Sequence, residues 1–98
     1  MAPIYVHLAW DGGIFVIRGE TGEQLWVDAD GLDRELRAAK DRGGALLYSR
    51  ERGDEDPPPH VEETFGRIAA YELPIKLLEE PHPEAVVPPE RRRTITRE

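Results

Sequence analysis

The chain carries two turn signals within its first 27 residues, Asp11-Gly12-Gly13 and Glu20-Thr21-Gly22-Glu23, each flanked by apolar runs. Glycine accepts the positive φ that tight hairpin turns require, so Asp11-Gly12-Gly13 predicts antiparallel pairing at the very start of the fold. In Ile4-Tyr5-Val6-His7-Leu8-Ala9-Trp10, residues Ile4, Val6, Leu8 and Trp10 share one face, the period of a half-buried strand. Ile14-Phe15-Val16-Ile17 is apolar on both faces, which predicts a central strand, and Gln24-Leu25-Trp26-Val27 makes a short third.

The period then changes. Asp30 is placed to cap a helix, with Asp33 in its first turn, where the helix dipole favours negative charge. Leu32, Leu36 and Ala39 form one apolar stripe, and Gly43-Gly44 stops the helix. Ala45-Leu46-Leu47-Tyr48-Ser49 reads as a buried strand. Arg50 to Pro59 is a charged loop, and its last proline fits the first turn of a second helix. Val61, Phe65, Ile68, Ala69 and Leu73 continue that helix's apolar face until Pro74, and Ile75-Lys76-Leu77-Leu78 is a final short strand. From Pro81 onward Pro, Glu and Arg dominate with no period, the composition of a flexible tail.

The order is β-β-β-α-β-α-β without internal repeats. Right-handed crossovers between the last three strands place both helices on one face of the sheet. The expected architecture is a two-layer α/β (α+β) sandwich with a mixed sheet and an N-terminal hairpin. Residues 1–80 form one domain and 81–98 a tail. At 98 residues the core is small, and dimerisation is a natural way to bury more surface.

That order and spacing resemble the soluble domain of the ExbD/TolR family of biopolymer-transport proteins. The features that carry the resemblance run from residue 4 to about 81. They are the strand entering Asp11-Gly12 and leaving through Ile14-Phe15-Val16, then Leu32 and Leu36 on the first helix and the Ala45-Leu46-Leu47-Tyr48 strand. Val61, Phe65 and Ile68 on the second helix follow, and then Leu73-Pro74-Ile75 leading to Glu79-Glu80-Pro81. The resemblance implies a domain without catalytic role that dimerises and binds partners at the cell envelope. The family's transmembrane helix and its membrane-embedded carboxylate have no counterpart here, so proton coupling is not implied. The Arg50–Pro59 loop is longer and more charged than the family's usual connection.

Charge and residue types exclude several functions. The chain has no cysteine, hence neither disulfides nor thiolate metal sites. Its longest apolar runs, Ile14–Ile17 and Ala45–Tyr48, fall far short of the roughly 20 residues that span a bilayer. No signal-peptide pattern precedes the first strand, and a cytoplasmic location is expected. Residues 1–90 carry 9 Lys+Arg against 19 Asp+Glu, a balance of −10, and such a body repels nucleic acid. Residues 91–98 carry 4 Arg and 1 Glu, a balance of +3.

Candidate sites are few. Asp28-Ala29-Asp30-Gly31-Leu32-Asp33 is set like a calcium loop, but glycine arrives too early and Ala39 stands where a bidentate Glu is needed; a helix start accounts for it. His60, Glu62 and Glu63 lack a second His one turn on, since Thr64 occupies that position, and His7 and His82 lie elsewhere. Ser49 is the only serine and stands outside a Gly-x-Ser-x-Gly elbow, and the glycines form no phosphate or dinucleotide loop. No catalytic residue, metal or cofactor is therefore assigned.

Trp10 is expected in the core. Trp26 and the basic run Arg91, Arg92, Arg93, followed by Thr94 and Thr96 as possible kinase targets, are the candidate partner-binding residues. The expected function is a non-catalytic protein–protein interaction module, a homodimer acting as an adaptor or scaffold component, its contact surface the sheet edge or the Trp26 side. The alternative is an acidic inhibitor, an immunity protein or antitoxin, that masks a basic enzyme cleft.

Overall fold

A computed structural model describes residues 3–86. Five strands and two α-helices follow the predicted order: β1 (Ile4–Leu8), β2 (Ile14–Ile17), β3 (Gln24–Val27), α1 (Ala29–Asp41), β4 (Leu46–Arg50), α2 (Pro59–Ala69) and β5 (Ile75–Leu77), with a 3-10 turn at Pro83–Ala85. The strands form one mixed sheet in the order β3-β2-β1-β4-β5. β1 pairs antiparallel with β2, and β2 with β3, whereas β1–β4 and β4–β5 are parallel. Each parallel pair is joined through a helix, as a parallel crossover requires.

Both helices lie on one face. Leu32, Leu36 and Ala39 of α1 and Val61 and Ile68 of α2 pack on Ile4, Val6, Leu8, Ile14, Val16, Leu25, Leu46 and Tyr48 of the sheet. Arg67 joins the two helices through Asp33 at 2.8 Å. Arg18, at the end of β2, reaches both Glu35 of α1 and Glu23 of the following turn at 2.7 Å. Its hydrogen bond to Glu35 raises the guanidinium pKa and keeps the charge in place against partial burial.

Four local features differ from the reading of the sequence. β1, expected to be half-buried, is the central strand and is buried on both faces. Its second face, with Tyr5 and His7, is covered instead of solvated: Tyr5, Ala9, Phe15, Trp26 and Ala85 make a second, smaller apolar cluster. The α1 cap is Asp28, whose carboxylate accepts from the Gly31 amide at 2.8 Å, not Asp30, which lies in the first turn. Gly31 is buried where the helix leaves β3, and a Cβ there would stand 2.8 Å from Val27 Cβ. At the other end Gly43 takes φ +72° and the Gly44 amide returns to the Ala39 carbonyl, a glycine-dependent stop.

α2 begins at Pro59 as predicted but closes at Ala69, so Leu73 is buried beyond the helix and not on its last turn. Residues 81–86, the first part of the segment read as a tail, have a defined course. The His82 amide donates to the Tyr5 hydroxyl at 3.0 Å, the 3-10 turn follows, and Ala85 is buried. Among the described residues no helix is long and apolar enough to cross a membrane.

Candidate functional site

Two places gather polar side chains on this scaffold. One lies under the second face of the sheet. The parallel register sets His7 beside Ser49, and the Ser49 hydroxyl stands 2.8 Å from His7 Nδ1 and 2.5 Å from the Tyr5 hydroxyl. A serine against a histidine is the pairing of an activated nucleophile. Here, however, Ser49 is 3% and His7 2% exposed, and the Tyr5 hydroxyl also takes the amide of His82. Little of the trio is open to solvent, although Ser49 also borders the cleft described below. The trio satisfies buried polar groups on a central strand, which is what the interior demands of them. Reading the sequence missed this contact because it depends on the β1–β4 register, which separates by 42 residues what it then brings together.

The second place is a cleft of about 390 Å³ at the carboxyl ends of β1, β4 and β5. In sheets with parallel strands this is where crossover loops leave space for ligands. Trp10, Tyr48, Arg50, Arg52, Gly53 and Leu77 line it. β1 delivers Trp10 just past its end, β4 delivers Tyr48 and Arg50, and the loop after β4 brings Arg52 and Gly53. That loop lies close on the indole: a Cβ on Gly53 would stand 2.6 Å from Trp10 ring carbons. Glu51 holds the other side, its carboxylate accepting from the Trp10 backbone amide at 2.8 Å.

The cleft's polar groups are unevenly satisfied. Trp10 Nε1–H is buried with no acceptor among the described residues. Such a group costs roughly 1–3 kcal/mol when left unpaired. Arg50 and Arg52 make no ion pair among the described residues, although acids are abundant. Burial pushes the Tyr48 hydroxyl up to about 12, with Arg50 pulling it down and Glu62 pushing it further up. Tyr48 therefore stays neutral at pH 7. Its ring meets Phe65 of α2 at 4.8 Å between centroids.

The residues singled out from sequence are dispersed. Trp26 faces the second apolar cluster, tilted against Phe15 at 5.1 Å and only 7% exposed, so its ring is packed inside and not presented to a partner. Trp10 is half-buried and packs against the main core from the cleft. Arg91, Arg92, Arg93, Thr94 and Thr96 lie outside the described residues. Asp28 is occupied as a cap, and among the described residues no three His, Asp or Glu side chains come together to hold a metal ion. His60 Nε2, at the start of α2, is buried without a hydrogen-bond partner among the described residues.

At the opposite edge from β3, β5 ends the sheet. The Pro74 carbonyl and the Leu78 amide both bond to β4, so the alternation of the strand turns the amides and carbonyls of Ile75 and Leu77 outward. Leu77 is 67% exposed, the most exposed large apolar residue among those described. No protein-family model matches this chain, and no curated protein or solved structure matches it either.

Proposed function

We propose that this chain is a non-catalytic protein–protein interaction module whose contact surface is the β5 edge, and that the edge pairs with β5 of a second copy. The observation that carries the reading is Leu77, 67% exposed on a terminal strand whose outward backbone groups await a partner. Open edge strands are templates for pairing, and proteins usually guard them with charge, proline or a bulge. Here Pro74 precedes the strand, and the single charge within it, Lys76, points to the opposite face from Leu77. Pairing about a twofold axis would join two five-stranded sheets and place the two Leu77 side chains near the axis.

The resemblance to the ExbD/TolR soluble domain belongs to this proposal. A detached domain of that kind would keep the dimerising, partner-binding role without the membrane machinery, here as a cytoplasmic adaptor or scaffold component. The alternative, an acidic inhibitor of an enzyme with a basic cleft, is supported by a different surface: Glu51, Asp54, Glu55 and Asp56 are all exposed on one loop.

Light scattering on the full chain and on Leu77→Lys separates the two. The module reading expects a dimer that becomes a monomer in the variant, with an unchanged circular dichroism spectrum. A wild-type monomer would remove self-pairing and leave the inhibitor as the better reading.

A further inference from the structure

The cleft at the carboxyl ends of the parallel strands shares Leu77 with the proposed β5 contact, but its other lining groups point to a different ligand. We propose that it is a binding site for an organic carboxylate with an aromatic or apolar body, held by Arg50 and Arg52 and packed against Trp10 and Tyr48.

Three independent features support this. The space, about 390 Å³, lies within the size range of small-molecule pockets, and its lining mixes Trp10, Tyr48 and Leu77 with the charged groups of Arg50, Glu51, Arg52 and Glu55. Trp10, Tyr48 and Leu77 supply flat and apolar surface, and the neutral Tyr48 hydroxyl adds no competing charge. Arg50, the last residue of β4, and Arg52, in the loop after it, lack an ion pair among the described residues, as Arg34 and Arg37 also do, and of these four only Arg50 and Arg52 line the cleft. Guanidinium groups suit a carboxylate because they offer paired, parallel donors.

The wall is also built to stay. The Gly53 backbone approaches the indole so closely that no side chain fits between, and Glu51 fixes the Trp10 amide from the other side. That hydrogen bond holds the Glu51 carboxylate at the backbone, away from a role as direct partner of either arginine. Trp10 Nε1–H is buried and without an acceptor among the described residues, on a residue that lines the cleft. Acidic groups oppose an anion here: Glu51 and Glu55 line the cleft, and Asp54 and Asp56 are exposed on the same loop. Glu55 has no hydrogen-bond or ion-pair partner among the described residues, and it lowers affinity.

The carboxylate could be that of a free metabolite or of a peptide terminus, and the probes distinguish these sources. Nitrogen-labelled full-length chain is titrated with sodium 3-phenylpropionate, with the neutral 3-phenylpropanamide, and with a short peptide ending in phenylalanine as free acid and as amide. The expected result is a saturable shift of the Trp10 indole Nε1–H resonance with both acids in the millimolar range or below, and binding of the amides weaker by about tenfold or more. Tighter binding of the peptide acid identifies a peptide terminus as the natural ligand, and tighter binding of phenylpropionate a free metabolite.

Arg50→Gln with Arg52→Gln should abolish the shift, while Glu55→Gln should strengthen binding in a chain whose spectrum is otherwise unchanged. No saturable shift with either acid, equal binding of acid and amide, or undiminished binding by the arginine double variant would each overturn the proposal. Because Leu77 lines the cleft and also lies at the proposed β5 contact, the titration is run at chain concentrations on both sides of the dimer transition, which separates failure of one proposal from failure of the other.

Discussion

Gly31 and Gly66 both lie in helices, and the same substitution at the two should act with opposite sign. Gly31, in the first turn of α1, lies against the end of β3, and a methyl group would come within 2.8 Å of Val27 Cβ and 3.3 Å of the capping carboxylate of Asp28. Neither atom lies at the end of a long side chain that could swing away, so the backbone must shift. Overpacking of this kind typically costs about 1–3 kcal/mol. Gly66 is exposed in the middle of α2, with nothing within 4 Å of the position a Cβ would take. There alanine only narrows the unfolded chain's freedom and improves helix propensity, which stabilises by about 0.5–1 kcal/mol. Urea denaturation of Gly31→Ala and Gly66→Ala should therefore show midpoints displaced in opposite directions from wild type. A neutral Gly31→Ala would mean that the α1 start can slide, and that the cap is not pinned at Asp28.

At the scale of the elements, β1 shows what the sequence could and could not reveal. Its helix-facing residues, Ile4, Val6 and Leu8, were legible from alternation alone, because a period of two fixes which side chains share a face. The other face was not. Tyr5 and His7 look like solvent-side residues, and only the pairing with Ser49 and the return of residues 82–86 bury them. Both depend on contacts more than 40 residues apart, which no local pattern encodes. For the same reason Trp26, a candidate contact residue on the third strand, could not be assigned to the cluster that includes Ala85. The order of elements was legible because each boundary has a local cause in glycine or proline, as at Gly43 and Pro59. The cleft was not, since its residues come from three strand ends and one loop.

The returning segment can be tested as an element in its own right. Ala85 is 2% exposed against the Tyr5–Phe15–Trp26 cluster, so Ala85→Asp would put an unpaired carboxylate where no water reaches. The cheaper outcome is for residues 82–86 to lift off, which gives up the His82–Tyr5 hydrogen bond and exposes part of the aromatic cluster. The loss should be about 1–3 kcal/mol, well short of unfolding the sheet. Limited proteolysis should then cut between Leu78 and Val86 faster, while the amides of Ile4–Leu8 stay protected from hydrogen exchange. Loss of protection in β1 as well would show that the segment is integral to the main core.

For the molecule as a whole, charge decides how the two proposed contacts respond to salt. The chain carries −7 overall, and 19 of its 20 acids lie in residues 1–90. Two copies pairing through β5 would bring like-charged bodies together, each with a radius of gyration of 12.6 Å. The screening length is about 30 Å at 0.01 M salt, longer than that radius, and about 8 Å at 0.15 M, shorter than it. Self-repulsion is therefore felt across the whole dimer at low salt and largely removed at the higher concentration. Self-association through β5 should tighten as salt is raised between these limits, because the contact itself is backbone pairing and apolar burial. Carboxylate binding at Arg50 and Arg52 should do the reverse, since salt screens the attraction on which it rests. Sedimentation equilibrium for the dimer and the indole titration for the cleft, each run at both salt concentrations, should give slopes of opposite sign. If self-association instead weakens with salt, opposite charges make the contact. The basic run Arg91–Arg93 against a neighbour's acidic body would then replace the β5 edge as the surface to test.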